Sequence, residues 1–311
     1  MKKVLLIYGG NSSEHNVSCL SAKAIINNID YTKYQLETIK INKENEWLKE
    51  DKKVKNIIKY LKKFDVIFPI IHGTNGEDGK LQGMLDLFNI NYVGSKYGSS
   101  YICMDKERTK QILNQYNIPQ IPYEIYNKNN KINIPYPLII KPANGGSSIG
   151  ISIANNKKEL KKSIKNAKKY DNKIIVEQFI ECQELECAIL EDKNLIISQV
   201  GEILSSNKFY DYNAKYENNN SKTIIPANIP NNITKQIKEM SKNIFTILEL
   251  NSLARIDFFY DNKNNKIYLN EINTIPGFTE ISMFPKLIMN NNISYKQLIT
   301  KLLENTIKKS T

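Results

Sequence analysis

Histidine and cysteine are scarce in this chain of 311 residues. The only histidines are His15 and His72, and the four cysteines are Cys19, Cys103, Cys182 and Cys187. No zinc-like spacing joins them, so free buried thiols are expected. No apolar run approaches the ~20 residues that a membrane-spanning helix needs. The N-terminal MKKVLLIYGG carries two lysines and an apolar run. That run is too short for a signal peptide and no small-residue cleavage site follows, so it predicts a first buried strand in a cytoplasmic protein. The formal net charge is +12, yet the basic residues form no dense cluster. Lys, Asn and Ile are abundant together, as an AT-rich genome would produce. A nucleic-acid partner is therefore not expected, whereas an anionic small substrate fits. GxGxxG is missing after the first strand, and GxxxxGK[ST] is missing throughout, which excludes the usual dinucleotide and P-loop fingerprints. What remains is a globular composition, 41% hydrophobic and 24% charged, long enough for two or three domains and without internal repeats.

The N-terminal third alternates between two periodicities. KVLLIY (3–8) and DVIFPII (65–71) are continuous apolar runs, as in strands buried on both faces, and YQLETIKIN alternates as a strand. VSCLSAKAIINNI (17–29), VKNIIKYLKKF (54–64) and LQGMLDLFNI (81–90) have helical spacing. The pattern predicts a doubly wound α/β domain with ligands at the carboxyl ends of its strands, where the polar loops GGNSSEHN and HGTNGEDGK fall. A helix near 104–116 opens a second region, followed by IPQIPYEIY, whose prolines bar a helix interior. YPLIIKPANGGSSIGISIA predicts strand, glycine-rich loop, strand. A basic amphipathic helix (156–170) and the strand KIIVEQFI (173–180) follow. A third region starts near LECAIL (185–190). It continues with the strand LIISQVGEIL, a long polar stretch at 209–230, a helix at 233–248, the strands SLARIDFFY and KIYLNEIN, and a final helix near 295–308. The expected domains are 1–95, 96–183 and 184–311. An aperiodic stretch as long as 209–230 marks a lid or disorder.

Two segments carry the chemistry. In KPANGGSSIG (141–150) the glycines let backbone N–H groups approach an anion closely. A strand follows rather than a helix, so this is a hairpin folding over phosphates with Lys141 at its base; a plain surface hairpin is the alternative. In NEINTIPG (270–277), Glu271 and Asn273 point the same way along a strand, roughly 7 Å apart, before Pro276 and Gly277 break it. ARIDFFY (254–260) puts Arg255, Asp257 and Phe259 on one face, and antiparallel pairing through DNKNN can set Asp257 beside Glu271 and Asn273. Two carboxylates and an amide are the hard oxygen set that Mg²⁺ prefers, with phosphate oxygens and water completing the shell. A solvated acidic face is the alternative. Arg255 argues against it, because an arginine beside a metal commonly stabilises developing negative charge. Lys106, Lys141 and the strand-end Glu177 gain meaning only from this context.

In order, GGNSSEHNVS, HGTNGEDG, MDK, KPANGGSSIG, FYDYNAKY, RIDFF and NEINTIPGFTEISMFP resemble the D-alanine–D-alanine ligase family of the ATP-grasp superfamily, over essentially the whole chain. The resemblance implies an N-terminal doubly wound α/β domain followed by an ATP-grasp fold of two subdomains. The activity it implies is ATP-dependent ligation of two D-alanine molecules through a D-alanyl phosphate, releasing ADP and phosphate, for peptidoglycan precursors. It further implies a cytoplasmic homodimer with no membrane or nucleic-acid partner. Lys106 and Lys141 would contact ATP phosphates beneath the loop of Gly146, Ser147 and Ser148. Glu177, Gln178 and Ile180 would hold adenine, Glu184 the ribose, and Asn270 would complete the ATP set. Asp257, Glu271 and Asn273 would bind two Mg²⁺ ions, for which Mn²⁺ can substitute. Glu14 would pair with the first D-alanine's ammonium and join Ser147 and Tyr216 in a hydrogen-bonded group that closes loops over the site. His72 would lie near the first D-alanine carboxylate. Lys215, Ser282 and the Met283 backbone would receive the second carboxylate, and Arg255 with the Gly277 N–H would form the oxyanion hole.

Asn16 stands where the family usually has an acidic residue, while Glu14 and Ser18 keep the N-terminal motif. Tyr216 with Lys215 favours D-alanine over D-lactate as acceptor. The alternatives are an ATP-grasp ligase for another amino-acid pair, a basic nucleic-acid-binding protein, and a dinucleotide oxidoreductase. The second would need clustered Lys/Arg interleaved with aromatics, and the third a GxGxxG.

Overall fold

The structure is a computed structural model that describes residues 1–204 and 222–308. Lys215 and Tyr216, expected in the lid, lie outside the described residues.

The chain begins with β1 (Lys2–Gly9), α1 (His15–Asn28), β2 (Tyr34–Ile41), β3 (Trp47–Lys49), β4 (Lys52–Lys53), α2 (Ile57–Leu61), β5 (Val66–Pro69) and α3 (Lys80–Leu87). The first sheet has the order β4-β3-β2-β1-β5, and β1 runs parallel to both β2 and β5. Both polar loops leave the carboxyl ends of β1 and β5, as the alternation predicts. The edge hairpin β3–β4 is not legible in the polar run NKENEWLKEDKK. Its turns rest on positive φ at Asn45, Glu50 and Asp51. The helix expected over 54–64 contracts to α2, because the Asn56 side chain accepts the Lys59 N–H and starts the helix there.

The helix expected near 104–116 is α5 (Lys106–Gln115), and a further helix, α4 (Tyr97–Met104), precedes it. Asp105 separates them: it is extended and its carboxylate accepts the N–H groups of Glu107 and Arg108 as the cap of α5. The second sheet contains β6 (Tyr123–Ile125), β7 (Leu138–Pro142), β8 (Ser152–Ala154) and β9 (Ile174–Gln178), in the order β6-β9-β7-β8, with α6 (Lys157–Ala167) between β8 and β9.

The third sheet has the order β12-β11-β10-β13-β14 and is antiparallel. It is built from β10 (Gln183–Glu191), β11 (Leu195–Leu204), β12 (Lys222–Ile224), β13 (Leu253–Asp261) and β14 (Lys266–Asn273). α7 (Asn231–Ile247) buries Ile233, Ile237, Ile244 and Phe245 in a core that also takes Cys103 and Leu113 from α4 and α5. α8 (Met283–Met289) and α9 (Tyr295–Lys308) close the other face. Leu298, Ile299, Leu302 and Leu303 of α9 share one core with Val4, Leu6 and Phe68 of the first sheet and with Ala188 and Leu190 of the third. The C-terminal helix thereby ties the first and third sheets together and fixes the site between them. Of the four thiols, all free, Cys103 and Cys187 are buried as expected, while Cys19 and Cys182 are only half-buried.

Candidate active site

Two adjoining cavities share Gly146 and Glu271. The first lies between the second and third sheets and is lined by Lys106, Lys141, Ser148, Glu184, Asn270 and Glu271, among others. Lys141 and Glu177 meet because β7 pairs antiparallel with β9, Lys141 opposite Ile175, which leaves Glu177 two residues along the same face. Lys141 Nζ is 2.7 Å from Glu177 Oε2, and Lys110 Nζ is 2.9 Å from Glu177 Oε1. Desolvation acts to raise the Glu177 pKa, but the two ammoniums outweigh it and hold the carboxyl down at about 2. Lys106 Nζ donates to the Gly145 carbonyl at 2.8 Å and lies 3.6 Å from Glu271 Oε2. Gln178 ends β9 and Ile180 follows it, at the crossing into β10.

The β13–β14 pairing sets Arg255 opposite Asn273 and Asp257 opposite Glu271. The register then slips at Asn270, so that Phe258 faces Leu269. A bulge of this kind lets adjacent residues share a face, and both Asn270 and Glu271 line the first cavity. Asn273 Nδ2 donates to Asp257 Oδ2 at 3.0 Å. Arg255 donates to both Asp257 oxygens, at 2.8 and 2.7 Å, and its Nε lies 2.9 Å from Glu186 Oε2. Glu186 faces Asp257 across β10, so Glu186, Asp257 and Glu271 form a row over three neighbouring strands.

The second cavity is lined by Glu14, His72, Glu77, Ser147, Arg255, Gly277, Ser282 and Met283, among others. Ser147 Oγ donates to Glu14 Oε1 at 2.5 Å, bridging the glycine-rich hairpin to the N-terminal loop. Ser147 and Ser148 both have positive φ, +53° and +58°. His72 uses both ring nitrogens: Nδ1 donates to the Ile275 carbonyl at 2.9 Å, and Nε2 meets Ser21 Oγ at 3.1 Å. Burial pushes the imidazole pKa down, so it is neutral and Nε2 accepts the Ser21 hydroxyl. Ser21 in turn accepts the Phe278 N–H at 3.2 Å. His72 lines the cavity, while its nitrogens hold the segment carrying Gly277. Ser282 stands at the N-cap position of α8 with no side-chain bond into the helix; its Oγ instead accepts the Thr279 N–H at 3.1 Å.

Residues 111–304 match the family model of the D-ala D-ala ligase C-terminus, and residues 3–60 and 52–95 match that of the N-terminus. A curated D-alanine–D-alanine ligase from Caldicellulosiruptor bescii is 40% identical, over 99% of this chain and 96% of the relative. The chain belongs to the D-alanine–D-alanine ligase family. Among solved structures, the VanG D-Ala:D-Ser ligase from Enterococcus faecalis is 35% identical with a TM-score of 0.88, covering 98% of this chain and 99% of that one. A D-alanine–D-alanine ligase from Bacillus anthracis complexed with ATP is 26% identical with a TM-score of 0.83, covering 100% and 99%. These likenesses give the fold of this ligase as the N-terminal α/β domain followed by an ATP-grasp fold, and the chain as an enzyme.

The donors at Asp257, Glu271 and Asn273 are hard oxygens, which fits Mg²⁺ or Mn²⁺. Among the described residues no group of three or more His, Cys, Asp or Glu side chains is placed to hold a metal alone.

Some residues of this ligase site escape the sequence pattern. Glu77 accepts the N–H groups of Gly73 at 2.6 Å and Ile275 at 3.1 Å. Burial and the neighbouring Glu14 push its pKa up to about 8. Its place inside HGTNGEDG was the available signal. Glu186, on β10, and Lys110, on α5, are buried ionic groups whose partners lie on β13 and β9. For Lys110 the signal was its spacing of four from Lys106 on one helix.

Proposed function

We propose that the chain joins two D-alanine molecules into D-alanyl-D-alanine through a D-alanyl phosphate, releasing ADP and phosphate, and so supplies a peptidoglycan precursor. The observation that carries this reading is the junction of the two cavities at Gly146 and Glu271, one lined by lysines and the other by Glu14 and Arg255.

A carboxylate is a poor electrophile, and phosphorylation gives it a leaving group. In this reading, Lys106 and Lys141 neutralise the ATP phosphates while the first D-alanine's carboxylate attacks the γ-phosphorus. Gln178 and Ile180, with Glu177, hold the adenine, Glu184 the ribose, and Asn270, Gly146 and Ser148 the rest of the nucleotide. Asp257, Glu271 and Asn273 would hold Mg²⁺, which when bound would supply charge neutralisation to the phosphates. Glu14 pairs with the first ammonium. Ser282 and the Met283 N–H, with Lys215 from the lid, receive the second D-alanine's carboxylate. The second amine attacks the acyl carbon, and Arg255 with the Gly277 N–H stabilises the oxyanion, at a segment that His72 and Glu77 hold in place. Ser147, Glu14 and Tyr216 close the site, because the acyl phosphate hydrolyses in water. The same reading takes 1–95, 96–183 and 184–311 as the domains, the protein as a cytoplasmic homodimer, and small molecules as its substrates. No described helix is long and apolar enough to cross a membrane.

The test mixes the protein with ATP, Mg²⁺ and D-alanine and measures phosphate and dipeptide, with L-alanine and D-serine in parallel. Equal phosphate and dipeptide from D-alanine, and none from L-alanine, are expected. Equal turnover of both alanine enantiomers, or of neither, overturns the reading. A product formed only with D-serine present as second substrate overturns the choice of acceptor.

A further inference from the structure

Lys110 is a buried cation to which the reaction above gives no task. Its side chain is 4% exposed, and those of Glu177 and Lys141 are 2% and 6% exposed. Apart from Glu177 at 2.9 Å, its ammonium faces the Tyr123 ring, 4.9 Å from the centroid. Lys106 and Lys110 lie four apart on α5 and share a helix face. One ammonium of that face enters the first cavity, and the other stands behind Glu177 in its wall. Burying a lysine this completely is costly and is seen when the charge is paired or used. Burial pulls the Lys110 pKa down against the attraction of Glu177.

The charge count decides what the third group does. Lys141 and Glu177 alone would form a neutral pair, and the wall of the cavity would offer the phosphates little field. With Lys110, one carboxylate is shared by two ammoniums and the trio keeps one net positive charge. We propose that Lys110 is a positioning residue for the nucleotide: it engages Glu177 from behind and leaves Lys141 with an unspent positive field for the β- and γ-phosphates of ATP. This rests on the nucleotide reading of the first cavity. The competing role is mechanical, with Lys110 merely tying α5 to the second sheet.

Two variants separate these roles. Lys110→Gln keeps a donor toward Glu177 but removes the charge, and Lys110→Arg keeps the charge. ATP and AMP binding are measured by calorimetry with Mg²⁺ and without D-alanine, beside thermal melting. Loss of a unit charge at a low-dielectric site should weaken ATP by about tenfold or more in Lys110→Gln, leave AMP within about threefold, and leave ATP binding to Lys110→Arg within about threefold. ATP affinity unchanged in Lys110→Gln overturns the proposal. So does an equal loss for ATP and AMP, or an equal loss in both variants. Wild-type protein that binds no ATP overturns the nucleotide reading itself, a distinct result.

Discussion

Replacing Ser147 by alanine removes a single hydrogen bond, and its effect can be worked from the geometry. Ser147 and Glu14 are 8% and 9% exposed, and the 2.5 Å bond between them joins segments 133 residues apart. A buried hydrogen bond to a carboxylate contributes about 1.5–3 kcal/mol, so the closed hairpin should lose about ten- to a hundredfold in population. Ser147 also sits at φ +53°, where an L-residue costs about 1–2 kcal/mol and glycine costs little. Ser147→Gly loses the same bond but relaxes the backbone. Allowing for glycine's extra freedom when open, it should be impaired about two- to fivefold less than Ser147→Ala. The assay is steady-state dipeptide formation together with the ratio of phosphate to dipeptide. Open-site hydrolysis of the acyl phosphate should lift that ratio above one in both variants. Wild-type rates and a ratio of one in Ser147→Ala would refute the latch. Glycine behaving worse than alanine would refute the backbone argument.

Other perturbations reach different parts of the site. Glu271→Gln should lower phosphate release by about a hundredfold or more, since several kcal/mol of charge stabilisation depend on the metal site. Its melting temperature should stay near wild type, because Glu271 is 22% exposed with Lys106 a loose 3.6 Å away. Loss of the fold would instead mark a structural role. Glu77 makes a pH prediction. Its folded pKa is raised from 4.5 to about 8, so the folded protein holds a proton that the unfolded chain releases across that window. Its contribution to stability therefore falls as pH rises from about 4.5 to about 8 and is flat above. Melting curves at stepped pH should show this decline in wild type and a shallower one in Glu77→Gln. Identical slopes would contradict the assignment.

The residues that could be placed in advance are those governed by local rules. Period-two alternation and a short connection were enough to pair ARIDFFY with KIYLNEIN and bring Asp257 to Glu271. The slip at Asn270 was hidden, because a bulge depends on the partner strand. Asp105 looked like one more helical residue in MDKERTK; only its capping bonds show why two helices meet there. α8 carries Pro285 near its start, where a missing N–H is harmless, and composition alone did not suggest it. His72 binds Ser21 and Ile275, 51 and 203 residues away. Lys110 was one lysine in a lysine-rich chain; its spacing from Lys106 puts it on the same helix face, but only the structure shows it buried against Glu177. Such partnerships join elements far apart in sequence, His72 to the segment after β14 and Lys110 on α5 to β9, and no local window contains them.

The central claim is that the first substrate's carboxylate is phosphorylated before the peptide bond forms. D-alanine labelled with ¹⁸O in its carboxylate, incubated with the protein, ATP and Mg²⁺, tests it by mass spectrometry of the released phosphate. If the carboxylate attacks the γ-phosphorus, each phosphate leaves carrying one ¹⁸O, and the dipeptide carbonyl keeps the other. Phosphate released without label, alongside dipeptide, would contradict the account.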